Sequence, residues 1–136
     1  MTIEIIAEAA QGYEGNVTQA RLLARGAARA GADAVKFQLV YADELATPDY
    51  RYYQLFRQLE MSLAEWKQVA EEAIANGARF YADVYGTFSV RQAVEAGAHG
   101  LKISTTDFNN AHLISLARET GLRLYISLGG ISLEEF

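Results

Sequence analysis

GADAVKFQLV, residues 31–40, is the stretch on which the reading of the fold turns. It follows an alanine-rich amphipathic segment, and within it Val35, Phe37 and Leu39 alternate with Lys36 and Gln38. Gly31 stands where a helix end takes a left-handed residue, and the period of two that follows marks a strand. An ammonium group buried without a partner costs on the order of several kcal/mol. The polar face of this strand must therefore meet something that answers a cation. HGLKIST, residues 99–105, poses the same question with Lys102.

The unit recurs. AARAGADAVKFQ, AIANGARFYAD, AVEAGAHGLKIS and ARETGLRLYIS each run from a helix through a glycine (Gly31, Gly77, Gly97, Gly121) into an apolar strand. Capping-box spacing marks helix starts at Asn16/Gln19, Ser62/Glu65, Ser89/Gln92 and Ser132/Glu135. Met61 and Trp66 are spaced as a hydrophobic staple around Ser62. The pattern predicts strands over residues 3–7, 34–39, 79–82, 101–103 and 122–126. Helices are predicted from Val17, Leu63, Val90 and Ala111, with a short one near residues 50–58. Strict βα alternation implies a parallel sheet covered by helices, the α/β class. No GxGxxG follows the first strand and no GxxxxGK[ST] occurs, which disfavours nucleotide-binding sheets. A (β/α)8 barrel of the TIM type fits better, and it needs eight units where this chain supplies five. Phe136 falls at the fourth position of a helix just begun. The expectation is the N-terminal five strands of a larger, truncated barrel, with residues 1–136 as one partial synthase-type domain.

Bulk properties narrow the class. The chain has 136 residues, half of them hydrophobic, a net charge of -5 and no cysteine. It can build one core but no disulfide framework or cysteine metal site. Lysine and arginine do not cluster, so nucleic acid is not an expected partner. No window approaches the ~18 apolar residues of a membrane span, and the N-terminus lacks the pattern of a secretory signal. These features predict a cytoplasmic protein.

Parity along the strands assigns faces. Val35, Phe37, Leu39, Leu101 and Ile103 go to the helix side, with Ile5 and Ala7. Glu4, Ile6, Glu8, Ala34, Lys36, Gln38, Tyr81, Asp83, Lys102, Ser104, Tyr125 and Ser127 go to the lumen. Glu8, Lys36, Gln38, Asp83, Lys102 and Ser127 thus converge near the C-terminal strand ends, where barrel enzymes keep their chemistry. With the hydroxyls of Ser104, Thr105, Thr106 and Ser127, the two lysines make a small cationic pocket for a phosphate or carboxylate. The competing reading is plainer: Lys36–Glu8 and Lys102–Asp83 are ion pairs that plug the barrel. His99 and His112 read as surface residues. Tyr50, Tyr52 and Tyr53 read as packing around a rim helix, and Gly129–Gly130 as a tight turn or a phosphate-binding nest.

These residues resemble the N-acetylneuraminate (sialic acid) synthase family. The likeness runs in order through IIAEAAQGYEGN (residues 5–16), GADAVKFQ (31–38), YYQLFRQLEMSLAEW (52–66), GLKISTTDFNN (100–110) and YISLGGISLEEF (125–136). The resemblance implies a transferase that joins phosphoenolpyruvate to an N-acetylmannosamine-type sugar, releasing phosphate and forming a nine-carbon 2-keto acid. It implies that Lys36, Lys102, Thr105 and Ser127 hold phosphoenolpyruvate, that Gln38 faces the sugar, and that Glu8 and Asp107 are the active-site carboxylates. Asp107 stands where the family usually has glutamate. It further implies a divalent metal, manganese or magnesium, held by histidines of later strands, and a C-terminal antifreeze-like domain that completes the partner's site in a homodimer. Neither region lies in this chain, which would carry a half-built, inactive site by itself.

The sequence departs from the family where Gly12 and Tyr13 replace asparagine–histidine. It departs again where Asp83, Val84 and Tyr85 replace threonine–proline–phenylalanine, and where Ser104–Asp107 replaces alanine–serine–glycine–glutamate. Two further readings stand beside this one. The first is a Schiff-base aldolase using Lys36 or Lys102 as nucleophile. The second is a non-catalytic partial barrel that self-associates through its open strand edges.

Overall fold

The repeated helix–glycine–strand unit folds as its spacing dictates. In the computed structural model, which describes residues 3–130, Ser132 and Glu134, five parallel strands lie side by side in chain order. They are β1 (Ile6–Ala10), β2 (Ala34–Gln38), β3 (Arg79–Val84), β4 (Gly100–Ile103) and β5 (Arg123–Ile126). The helices between them are α1 (Val17–Arg29), α2 (Ala42–Leu45), α3 (Tyr53–Leu59), α4 (Leu63–Ala75), α5 (Thr87–Ala96) and α6 (Ala111–Glu119). Consecutive parallel neighbours, each joined through a helix, are the repeating unit of a (β/α) barrel, here a partial one.

Local chemistry sets the helix ends. The Asn16 side chain accepts from Gln19 N–H, and Ser62 with Glu65 closes a reciprocal capping box at the start of α4. Gly31, Gly77, Gly97 and Gly121 all have positive φ, between 70° and 93°. The expected cap pairs Ser132 with Glu135, and Glu135 lies outside the described residues.

The helix side of the sheet holds the core. Tyr13, Phe37, Trp66 and Phe80 are wholly or almost wholly buried. Their rings meet edge-on or tilted, with centroids 5.1 Å apart for Tyr13–Trp66, 6.0 Å for Phe37–Trp66 and 6.2 Å for Phe37–Phe80. Cutting Trp66 back to alanine would cost about 3–5 kcal/mol, the range for a buried large aromatic. Met61 shares this core with Trp66, as a staple requires. Tyr13 belongs here and not to the strand-end site. Its ring is buried and its hydroxyl donates to the Gln38 carbonyl at 2.9 Å.

Four expectations about elements need correction. The first strand runs over Ile6–Ala10, not residues 3–7. Ile6 is the first residue in register with β2, opposite Ala34, and a bulge between Glu8 and Ala10 carries the strand into residues that resemble a loop. The Ile5 carbonyl only receives the turn amides of Asp33 and Ala34, and its side chain is exposed rather than packed on helices. α5 starts at Thr87, not Val90, so Ser89 is the third helical residue. Its hydroxyl still satisfies the helix start, accepting from Tyr85 and Gly86 N–H at 2.9 and 3.1 Å. The rim helix spans Tyr53–Leu59, not residues 50–58, and a four-residue helix, α2, precedes it. Tyr50 stacks on Phe56, with centroids 6.1 Å apart, which is the packing role expected of the tyrosine group.

A candidate anion site at the strand ends

The lumen face is layered. Below, toward the strand N-termini, Glu4 accepts from the hydroxyls of Tyr81 (2.6 Å) and Tyr125 (2.8 Å) and pairs with Arg79 and Arg123. Burial, then the bond to Glu4, pushes the Tyr81 phenol up to about 12. This layer plugs the floor.

One step higher lies an unbroken row of charge. The Lys36 ammonium contacts Glu8 from β1 and Asp83 from β3, the latter at 2.6 Å. The Lys102 ammonium donates to the other oxygen of Asp83 at 2.8 Å. Register explains the pairing. Glu8 lies opposite Lys36, and Asp83 opposite Lys102. Lys36 is level with Tyr81, and its long stem climbs one pleat to reach Asp83. Lys36 and Asp83 are buried, at 6% and 1% exposure, while Glu8 and Lys102 open toward solvent. Both lysines therefore emerge on the hollow side of the sheet, as parity predicts. The pocket is not net cationic, however. Two ammonium groups face two carboxylates, and these protein anions offset the cost of burying the amines.

Other expected residues flank the row. Gln38 Oε1 accepts from Gln11 Nε2 at 2.8 Å, and the Thr105 and Ser127 hydroxyls hydrogen-bond each other at 2.7 Å. Thr105 opens a 3-10 turn, Thr105–Asp107, just after β4. A Cβ on Gly129 would come within 3.2 Å of the Thr105 hydroxyl, so the turn after β5 closes over the same corner. Asp107 stands apart from the charged row. Its oxygens accept from Thr106 Oγ1 at 2.9 Å and Asn110 Nδ2 at 3.3 Å.

Parity also points to Tyr85, two residues beyond Asp83 and one past the end of β3. Burial foremost, then the charges of Asp83, Glu8 and Asp107 and the neighbouring Tyr13, push its phenol up. Gln11 was the second residue missed. Its signal is weak, because it lies past the bulge between Glu8 and Ala10, where strand alternation no longer assigns a face.

His99 and His112 are both exposed. Among the described residues, no group of three histidine, cysteine, aspartate or glutamate side chains could hold a metal ion. No helix among them is long and apolar enough to cross a membrane.

Known proteins resemble this chain in sequence and in shape. The N,N'-diacetyllegionaminic acid synthase of Legionella pneumophila is 30% identical over 149 aligned positions, covering 99% of this chain and 42% of that protein. The Bacillus subtilis spore coat polysaccharide biosynthesis protein SpsE is 41% identical over 73 residues, 46% of this chain and 19% of that protein. The crystal structure of the N-acetylneuraminic acid synthetase of Leptospira borgpetersenii superposes with a TM-score of 0.91 at 27% identity, covering 99% of this chain and 47% of that one. The chain thus spans less than half the length of these proteins. The model of the NeuB family matches residues 23–136, and with the strand-by-strand agreement of the fold this chain belongs to the NeuB family.

Proposed function

We propose that this chain forms the N-terminal part of a sialic-acid-synthase-like enzyme. The enzyme condenses phosphoenolpyruvate with an N-acetylmannosamine-type sugar to give a nine-carbon 2-keto acid and phosphate. The observation that carries this reading is the meeting of Lys36 and Lys102, from β2 and β4, at one point on the hollow face. Oxyanions such as phosphate and carboxylate take such charge-assisted donors readily.

In this reading Lys36, Lys102, Thr105 and Ser127 bind phosphoenolpyruvate, and Gln38 orients the sugar. The methylene carbon of phosphoenolpyruvate attacks the sugar aldehyde carbon. The carbon–carbon bond forms as the aldehyde C=O opens to a hydroxyl that takes its proton from solvent, leaving an oxocarbenium-like centre at the phosphate-bearing carbon. Glu8, half-exposed beside Lys36, stabilises that centre electrostatically. Asp107 takes a proton from the attacking water, and collapse of the adduct breaks the carbon–oxygen bond to phosphate, which departs with the remaining hydroxyl proton and leaves the ketone. The family's divalent metal does not fit the described residues, and no step here runs through it. The whole protein is read as a cytoplasmic homodimer in which later strands supply the metal ligands. Nothing favours the Schiff-base alternative, since both amines are already engaged by Asp83.

The test is phosphate release from phosphoenolpyruvate by the full-length protein, dependent on N-acetylmannosamine or a related sugar and on manganese. Lys36→Ala and Lys102→Ala should each lower that rate at least about a hundredfold, the loss expected when an anion's charged donor is removed. An unchanged rate in either variant overturns the assignment.

A further inference from the structure

We propose that Asp83 is a built-in occupant of the anion seat, competing with the substrate's phosphate for Lys36 and Lys102 and so setting the site's affinity for phosphorylated ligands. The inference deepens the proposed function and rests on it only for the identity of the incoming ligand; the seat itself is defined by geometry.

Two oxygens of one carboxylate each carry one ammonium, Oδ1 at 2.6 Å from Lys36 and Oδ2 at 2.8 Å from Lys102. That is the two-donor bracket which two oxygens of a phosphate would receive. The Asp83 carboxylate is 1% exposed, and no other side chain among the described residues holds it. A ligand that takes both lysines breaks these two contacts and leaves a buried carboxylate without a cation, which opposes the exchange. With Glu8 counted, the row has no net charge, and the chain carries -5 overall, so no attractive field draws a dianion inward. A phosphate therefore gains the lysines only by exchange against a carboxylate already in place. A neutral residue at position 83 would leave both ammonium groups open to it.

The experiment uses the full-length protein. Inorganic phosphate and phosphoenolpyruvate are titrated calorimetrically into wild type and Asp83→Asn, which keeps the shape and removes the charge. The wild type should bind inorganic phosphate only in the millimolar range, and Asp83→Asn should bind both ligands at least about tenfold more tightly, as expected when a competing charge is removed. The KM for phosphoenolpyruvate should fall in proportion, with a smaller change in kcat. Equal or weaker binding by Asp83→Asn overturns the proposal. So does wild-type binding of inorganic phosphate tighter than about 0.1 mM, which decides the matter even if the variant fails to fold. Rapid sugar-dependent turnover with tight wild-type phosphate binding would sink this inference and leave the synthase reading standing. Weak wild-type binding that tightens in Asp83→Asn, without turnover of any amino sugar, would do the reverse.

Discussion

Lys36 shows how one side chain carries both stability and site geometry. It is buried between two carboxylates, one of which, Asp83, is buried more deeply still. Replacing it with methionine keeps the stem and deletes the charge, leaving Asp83 with Lys102 alone. Removing one partner of a buried pair typically costs about 3–5 kcal/mol. Lys36→Met should fall near the lower end, about 3 kcal/mol by urea unfolding, because Lys102 remains. The contrast is Arg57 on the rim, 3.6 Å from Asp43 with side chains 47% and 68% exposed. It also pairs with the partly covered Glu60 at 3.1 Å, but Arg57 itself stays open to solvent, so Arg57→Ala should cost no more than about 1 kcal/mol. If the two variants are equally destabilised, burial is not what gives the Lys36 pairs their weight. The direction of both site lysines was legible from alternation alone, since Val35, Phe37 and Leu39 leave Lys36 only one face. The sharing of Asp83 between them was not, because it depends on a lysine stem climbing one pleat across a register that alternation does not specify.

At the scale of elements, α1 and α4 are locked by one carboxylate. Arg21 and Arg25, one turn apart on α1, reach Glu72 on α4 at 3.0 and 2.8 Å. Hydrogen bonds from Arg25 first, then Arg21, hold the Glu72 carboxyl down at about 2, against an ordinary 4.5. Its folded value lies below its unfolded one, so the stabilisation is whole above about pH 4.5 and disappears as pH falls toward 2. In wild type the urea midpoint should drop through that window, and Glu72→Gln should flatten the drop while lowering the plateau at neutral pH. An unchanged acid limb would mean the clamp does not exist in solution. The turn before α1 depends on backbone approach. Gly15 has φ 70°, and a Cβ there would sit 2.0 Å from the Gln58 carbonyl of α3. Gly15→Ala should cost at least about 1 kcal/mol, since the conformation and the contact both exclude a side chain. Helix starts with side-chain caps at Asn16 and Ser62 were readable from spacing. The start of α5 was not, because Ser89 serves its amides from inside the helix while Glu44 reaches in from α2 to the Phe88 and Ser89 amides. That second partner is 45 residues away, beyond any local pattern.

For the whole molecule, the repeat of four helix–glycine–strand units predicted the order of the sheet, because short parallel crossovers place each strand beside the last. How firmly each strand is held depends on what covers its faces, and this varies across the sheet. Residues 80–84 of β3 are all buried, between Trp66 and its neighbours on one face and the ion-pair row on the other. In β5, Arg123 is exposed and the next three residues are only partly covered. Among the described strands β5 pairs with β4 alone, and its lumen face carries Tyr125 rather than a buried charge pair. Opening β5 exposes less apolar surface than opening β3, so local fluctuation should release it without unfolding the sheet. Amide exchange of this 136-residue chain should then show β2 and β3 slowest, limited by global unfolding. The amides of β5 should exchange at least about tenfold faster, as expected for a subglobal opening. Equal protection of β5 and β3 would require a cover over β5 that the described residues do not provide, and a second copy of the chain would be the first candidate. A concentration dependence of the β5 rates would identify it, since a cover supplied by association weakens on dilution while one supplied within the chain does not.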